Sequence, residues 1–243
     1  MNFKGIFLTN ILILVSFVSF GQLITLGMKI GTSISMYSAY ESGKSMDIEG
    51  IRSLSFITGG LTLNLKISDS WCFHSEVIFE DKGNRNITHF DSISNRKIYD
   101  ATQTGWRHNY FLQFPQTIRY SLKLSKKNRV SIYFEAGGYF AYYISTKYVT
   151  YLLYDETSEK TVTNSDIVDI NVQGIVINRF DWGATVGTGL LIPLWKGFLD
   201  LNFKYDHMIQ PFIIDNLDGT KSYYSVFGVT IGYSLPVMKK YYN

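Results

Sequence analysis

The chain has 243 residues, of which 46% are hydrophobic, 16% aromatic and 18% charged, enough for one domain and rich in the aromatics that suit a pleated sheet. Its formal net charge of +3 is too small to point to nucleic acid as a partner. A single cysteine, Cys72, excludes an intrachain disulfide and any metal or redox centre built on cysteine.

The N-terminus reads as an export signal. Lys4 gives a positive n-region, Ile6 to Phe20 is largely apolar, and Ser19-Phe20-Gly21 precedes Gln22 with small residues where a signal peptidase reads. The apolar run is short for a span of about 20 residues and contains Thr9, Asn10 and Ser16. The expected division is therefore a cleaved signal over residues 1–21 and one barrel domain over 22–243. No cysteine follows the cleavage site, so no lipoprotein anchor is expected.

From there the chain alternates apolar and polar residues with period two, the mark of β-strands. Leu26, Met28, Ile30, Ile34 and Met36 alternate with Gly27, Lys29, Gly31, Ser33 and Ser35. Residues 37–53 read as a polar loop. Ile57, Leu61, Leu63, Leu65 and Ile67 oppose Thr58, Gly60, Thr62, Asn64 and Lys66, and Ser68-Asp69-Ser70 is a tight turn. Trp71, Phe73, Val77 and Phe79 then oppose His74, Glu76 and Glu80, followed by a polar stretch, 83–106, read as a second long loop.

The most regular stretch is 107–145. Tyr110, Leu112, Phe114, Ile118, Tyr120, Leu122 and Leu124 share one parity, and Gln113, Thr117, Arg119, Ser121 and Lys123 the other. After a polar turn around Lys126 and Lys127, Val130, Ile132, Phe134, Ala136, Phe140, Tyr142 and Ile144 oppose Ser131, Tyr133, Glu135, Gly137, Tyr139 and Tyr143. These runs exceed the usual five or six residues of a sheet and suit tilted membrane-crossing strands, which need roughly 9–11. Pro115 interrupts the run and predicts a bulge or local break; Gln116 falls on the otherwise apolar parity. Residues 147–178 form the longest loop, with β-rich flanks that extend the barrel. Phe180 to Ile192, the turn Trp195-Lys196-Gly197, Leu199 to Ile209, a loop from Phe212 to about Thr220, and a strand to Leu235 complete the chain.

Eight strands with alternating short and long connections are the pattern of an all-β, antiparallel, up-and-down transmembrane barrel, with short periplasmic turns and longer extracellular loops. The polar parity carries Lys29, Glu76, Glu80, Arg119, Glu135, Asp200 and Lys204, charges of both signs that pair across a narrow lumen. It is also rich in glycine (Gly183, Gly187 and Gly189 among others), which makes room for Tyr133, Tyr139, Tyr143 and Arg119. Trp71, Trp195 and Phe198 fall beside the short turns, and Tyr110, Phe180, Trp182 and Tyr223 beside the loops, as two interfacial girdles. The apolar face therefore looks outward, toward lipid.

Several short motifs resemble the PorT-like outer-membrane β-barrels of Bacteroidetes: Gly27-Met28-Lys29-Ile30-Gly31, Ser75-Glu76-Val77 with Asp81-Lys82-Gly83, the Phe114-Pro115 strand ending Ile118-Arg119-Tyr120, and Glu135-Ala136-Gly137-Gly138-Tyr139. The signal's Phe20-Gly21-Gln22 ending is similar to those of secreted proteins of that phylum. The chain departs from the family pattern at Gln116-Thr117, where aliphatics are usual. The resemblance implies an integral eight-stranded barrel in the outer membrane of a Gram-negative bacterium. Some relatives are linked to assembly of a protein-secretion system, a role not carried over.

Function is less legible. His207 and Ser225 share the lipid-facing parity of adjacent strands, the start of a lipid-modifying site, but Asp206 points the other way. His74 and Glu76 face the lumen without enough converging ligands for a metal. No cofactor is expected. The loops carry Tyr37, Tyr40, Phe90, Tyr99, Trp106, Tyr148, Tyr151, Tyr154 and Phe212, aromatics able to bind glycan or protein. The expectation is a non-catalytic barrel with a binding, scaffold or envelope-assembly role, surrounded by outer-membrane lipid and lipopolysaccharide, with a protein or glycan partner at its loops.

Overall fold

The computed structural model describes residues 23–41, 44–46, 51–94, 97–124, 130–154, 157–161, 175–215 and 219–238. The signal segment lies outside them. The described residues form thirteen strands: Ile24–Glu41 (β1), Lys44–Met46 (β2), Ile51–Lys66 (β3), Trp71–Asp81 (β4), Asn84–Ser94 (β5), Lys97–Lys123 (β6), Ser131–Tyr154 (β7), Thr157–Thr161 (β8), Ile175–Ile177 (β9), Phe180–Leu194 (β10), Gly197–Met208 (β11), Ile213–Asp215 (β12) and Lys221–Met238 (β13).

Eight of them close a barrel in the order β1-β3-β4-β6-β7-β10-β11-β13. Every neighbour is antiparallel, and β13 pairs back to β1 from Met238 opposite Ile24 to Lys221 opposite Tyr40. Closure leaves the barrel no open edge, the condition for spanning hydrocarbon with strands. The alternation read from sequence gives the two faces. Met28, Ile57, Leu61, Phe134, Phe140 and Val186 are exposed on the outside, while Tyr133, Tyr139, Arg119, Glu76 and His74 are buried inside.

The short turns follow local chemistry. The Ser68 hydroxyl accepts from the Ser70 and Trp71 amides, and Lys66 Nζ donates to Asp69 Oδ1 at 2.9 Å. That bond and the charge of Lys66 hold the Asp69 carboxyl below its usual range. At the other described turn Trp195 takes φ 52°, in the left-handed region. The turn at 125–129 lies outside the described residues.

The stretches 83–106 and 37–53, read as loops, carry ordered strand, and the β-rich flank expected at the start of 147–178 does extend the barrel. Residues 84–106 form a hairpin in which β5 pairs with β6 from Asn84–Arg107 to Ser94–Lys97. β7 runs on beside β6 as far as Tyr154–Ala101, and β8 folds back on it. In the predicted 37–53 loop, β1 continues to Glu41 and pairs with β2. At Pro115 the ladder passes from Ser75–Gln116 to Ile78–Gln113 with the register unchanged, a local gap and not a bulge. The register shift lies between Tyr110 and Phe111, against β7. Gln116, on the lipid face, is satisfied by donating its amide to Ser75 Oγ at 2.8 Å.

Candidate functional site

The lumen is a packed polar core. All seven charged residues picked from the sequence face it. Glu76 sits at the centre, 2.5 Å from Lys29 Nζ, 3.2 Å from Lys204 Nζ and 2.7 Å from His74 Nε2. Arg119 joins Glu135 at 2.6 Å and Asp200 at 2.9 Å, and its guanidinium lies 4.3 Å over the Tyr133 ring. Forked donation to two carboxylates is the geometry that favours arginine here over lysine. His74 Nδ1 is 2.6 Å from Asn64 Oδ1 and its Nε2 is 2.8 Å from Arg119, so the histidine links the two halves of the network.

Glu80 departs from the expected set: its cation is Lys82, at 3.8 Å, and not Arg119 or Lys204. Lys82, Asp181 and Asp206 also belong to the network. Lys82 reaches Asp181 at 3.4 Å, and Lys204 reaches Asp206 at 3.6 Å. Parity had turned Asp181 and Asp206 inward, but Lys82 lay past the expected end of its strand. Among the described residues no group of three or more His, Cys, Asp or Glu side chains is arranged to hold a metal.

Two features close the lumen. Glycines admit the large rings: a Cβ on Gly189 would lie 2.5 Å from the Tyr133 hydroxyl, and one on Gly183 would lie 2.6 Å from the Tyr139 ring. Toward the long connections, Phe111, Tyr139, Tyr143, Met208, Phe212 and Tyr224 form an aromatic plug, with Lys82 Nζ 4.9 Å over Phe111 and 4.7 Å over Tyr139. Phe212 is therefore not a surface aromatic. Its amide donates to Ser222 O at 2.8 Å and its carbonyl accepts from Asn178 N at 2.9 Å, which folds it into the barrel mouth fully buried. Tyr37 is likewise engaged inside β1, donating to Ser222 Oγ. The side chains of Tyr40, Phe90, Tyr99, Tyr148, Tyr151 and Tyr154 lie outside the described residues. At the periplasmic end a void of about 10 Å³, lined by Lys29, Thr62, Asp200 and Thr230, has room for about one water.

On the outer wall the structure brings together the two residues singled out for lipid chemistry. His207 and Ser225 are register partners on β11 and β13, with Nδ1 2.9 Å from Oγ, and the Tyr205 hydroxyl donates to Ser225 at 3.3 Å. Asp206 faces the lumen and accepts from Gln113 at 2.8 Å, so it does not orient His207. The backbone around Ser225 is paired on one side with β11 and on the other with β1. That commits the amides an oxyanion would need.

No curated protein matches the chain. Among solved structures it is similar to the outer membrane protein OprG from Pseudomonas aeruginosa, at 13% identity over 89% of this chain and 98% of that one, with a TM-score of 0.42. Neisserial surface protein A matches at 12% identity over 87% and 96%, TM-score 0.38. Ail of Yersinia pestis, solved with the heparin analogue sucrose octasulfate, matches at 12% over 87% and 99%, TM-score 0.33. Residues 20–213 match the model of a family described as the outer membrane protein beta-barrel domain. With a closed eight-stranded antiparallel barrel that turns apolar side chains outward, the chain belongs to that outer-membrane β-barrel family, and its place is the outer membrane of a Gram-negative bacterium.

Proposed function

We propose that this barrel is a non-catalytic scaffold that captures a protein or glycan partner on its extracellular hairpins, and that it belongs with the PorT-like barrels its motifs resemble. The observation that carries the reading is strand length. β6 has 27 residues and β7 has 24, against the roughly 9–11 needed in hydrocarbon. The surplus stands outside the membrane as a continuous sheet of β5, β6, β7 and β8. A filled lumen gives the barrel no transport path, so binding falls to the projecting sheet and the connections above it.

The test is deletion of residues 155–168 combined with crosslinking in intact cells from a probe placed in residues 147–178. The expected result is a defined partner captured by the full chain and lost on deletion, with the barrel still folded and membrane-bound. Crosslinks to lipopolysaccharide alone would overturn it. The second reading, a lipid-modifying enzyme, rests on the 2.9 Å contact of His207 with Ser225.

A further inference from the structure

The outer wall above the aromatic girdle carries a second, separate arrangement. Phe79 stacks on Tyr110 at 5.6 Å, at the top of the apolar band. Two residues farther along β6, His108 stacks on Tyr110, and its Nδ1 is held at 2.7 Å by Asp81 Oδ2, which fixes the imidazole against the wall. The register partner of His108 on β7 is Lys147, which is exposed. Two residues farther again, the Arg85 guanidinium lies 5.6 Å over the Trp106 ring, and the register partner of Arg85 on β3 is Arg52. At about 3.3 Å of rise per residue and a tilt near 40°, His108 and Lys147 stand about 5 Å beyond Tyr110, and the arginine row about 10 Å beyond it. The headgroup layer is about 5–7.5 Å deep on each side, so His108 and Lys147 stand within it and the arginine row reaches past its outer edge.

Two observations ask for an anion there. Like charges directly opposite each other across a ladder are destabilising, yet Arg52 and Arg85 are direct partners. Arg85 Nε is also buried with no hydrogen-bond partner among the described residues. The carboxylate that the described residues set beside these cations, Asp81, is already bonded to His108. We propose that the wall formed by Arg85, His108 and Lys147, with the register position of Arg52 beside Arg85 on β3, binds the phosphorylated headgroup of an outer-leaflet lipid, with Tyr110 against its apolar root. The lipid's acyl chains lie on the exposed band below, where Phe79 and Val77 face outward. The site names the lipid contact of the scaffold reading and rests on the barrel's place in the outer membrane, not on any partner at the hairpins.

The experiment uses the full mature chain, purified in a neutral detergent and titrated with a phosphorylated glycolipid, the same lipid after enzymatic dephosphorylation, and inorganic phosphate, with bound lipid counted by native mass spectrometry. The expected result is a preference of about tenfold or more for the phosphorylated lipid, as charge-assisted contacts to phosphate provide. That preference disappears in an R52Q/R85Q/K147Q variant and falls in Lys147→Gln alone, whose exposed position spares the fold. Equal binding of the dephosphorylated lipid, an unchanged preference in both variants, or effective competition by inorganic phosphate would each overturn the proposal. Carbonate extraction of membranes, run in parallel, separates loss of this site from loss of the membrane location: a chain that stays in the membrane but shows no preference refutes the site alone.

Discussion

Replacing Arg119 by methionine keeps most of the side-chain volume and removes the guanidinium from between two carboxylates. Glu135, at 2.6 Å, and Asp200, at 2.9 Å, are left behind, and breaking a buried pair from one side costs about 3–5 kcal/mol. Part of that is recovered. Glu135 still accepts from Asn202 at 2.8 Å and from Thr117 at 3.3 Å, and Asp200 from the Tyr133 hydroxyl at 2.7 Å. Asp200 is also the more solvated of the two, with 16% of its side chain exposed against 1% for Glu135. The loss should therefore fall near the lower figure, about 3 kcal/mol. With a urea slope of about 1–3 kcal/mol/M, the unfolding midpoint drops by roughly 1–3 M. The assay is urea unfolding in lipid vesicles followed by tryptophan fluorescence, with Lys196→Met in the exposed turn as control, expected within about 0.5 kcal/mol of the parent. Arg119→Lys should fall between, because an ammonium cannot reproduce the fork. Equal midpoints for Arg119→Met and Lys196→Met would refute a sealed lumen around Arg119.

Four more outcomes follow from the same geometry. Planar-bilayer recordings should show no stable large conductance, including for Phe212→Ala, since the ion pairs below the plug fill the lumen; steady porin-range conductance would contradict this. Gly189→Val should destabilise by about 1–3 kcal/mol, because the new side chain drives Tyr133 off Asp200. Gly228→Ala, whose Cβ meets nothing within 4 Å, should be neutral or slightly stabilising in the same unfolding assay. His207→Ala should leave the acylation of membrane lipids unchanged, and a change seen by mass spectrometry of extracted lipids would favour the enzyme reading.

The barrel was legible because the bilayer enforces alternation: wherever one face meets lipid, as from Ile118 to Leu124, the pattern has full amplitude. Beyond the bilayer nothing forces one face of a strand to be apolar, so β5 and the outer parts of β6 and β7 lack the signal and read as loop. Lys82 was missed for that reason, at the point where the pattern fades. Asp181 and Asp206 were correctly turned inward, but which charges meet across the lumen depends on the stagger of the strands, which a single sequence does not display. Phe212 is a surface aromatic by its place at the start of a stretch read as loop and a core residue by two backbone hydrogen bonds. Nothing in its local sequence marks the difference. The Arg52–Arg85 pairing needed the β3–β5 register, hidden in stretches read as loop.

The double grip on Glu76 has a consequence for assembly. One partner, Lys29, lies 47 residues before it, and the other, Lys204, lies 128 residues after it. A barrel built hairpin by hairpin would carry Glu76 into hydrocarbon with half its counter-charge missing until the seventh strand arrived. The cost of such an intermediate argues for insertion in which the last strands meet the first before the chain settles in the bilayer. The charges that hold the finished lumen together thus act earlier as a completeness check on the nascent barrel.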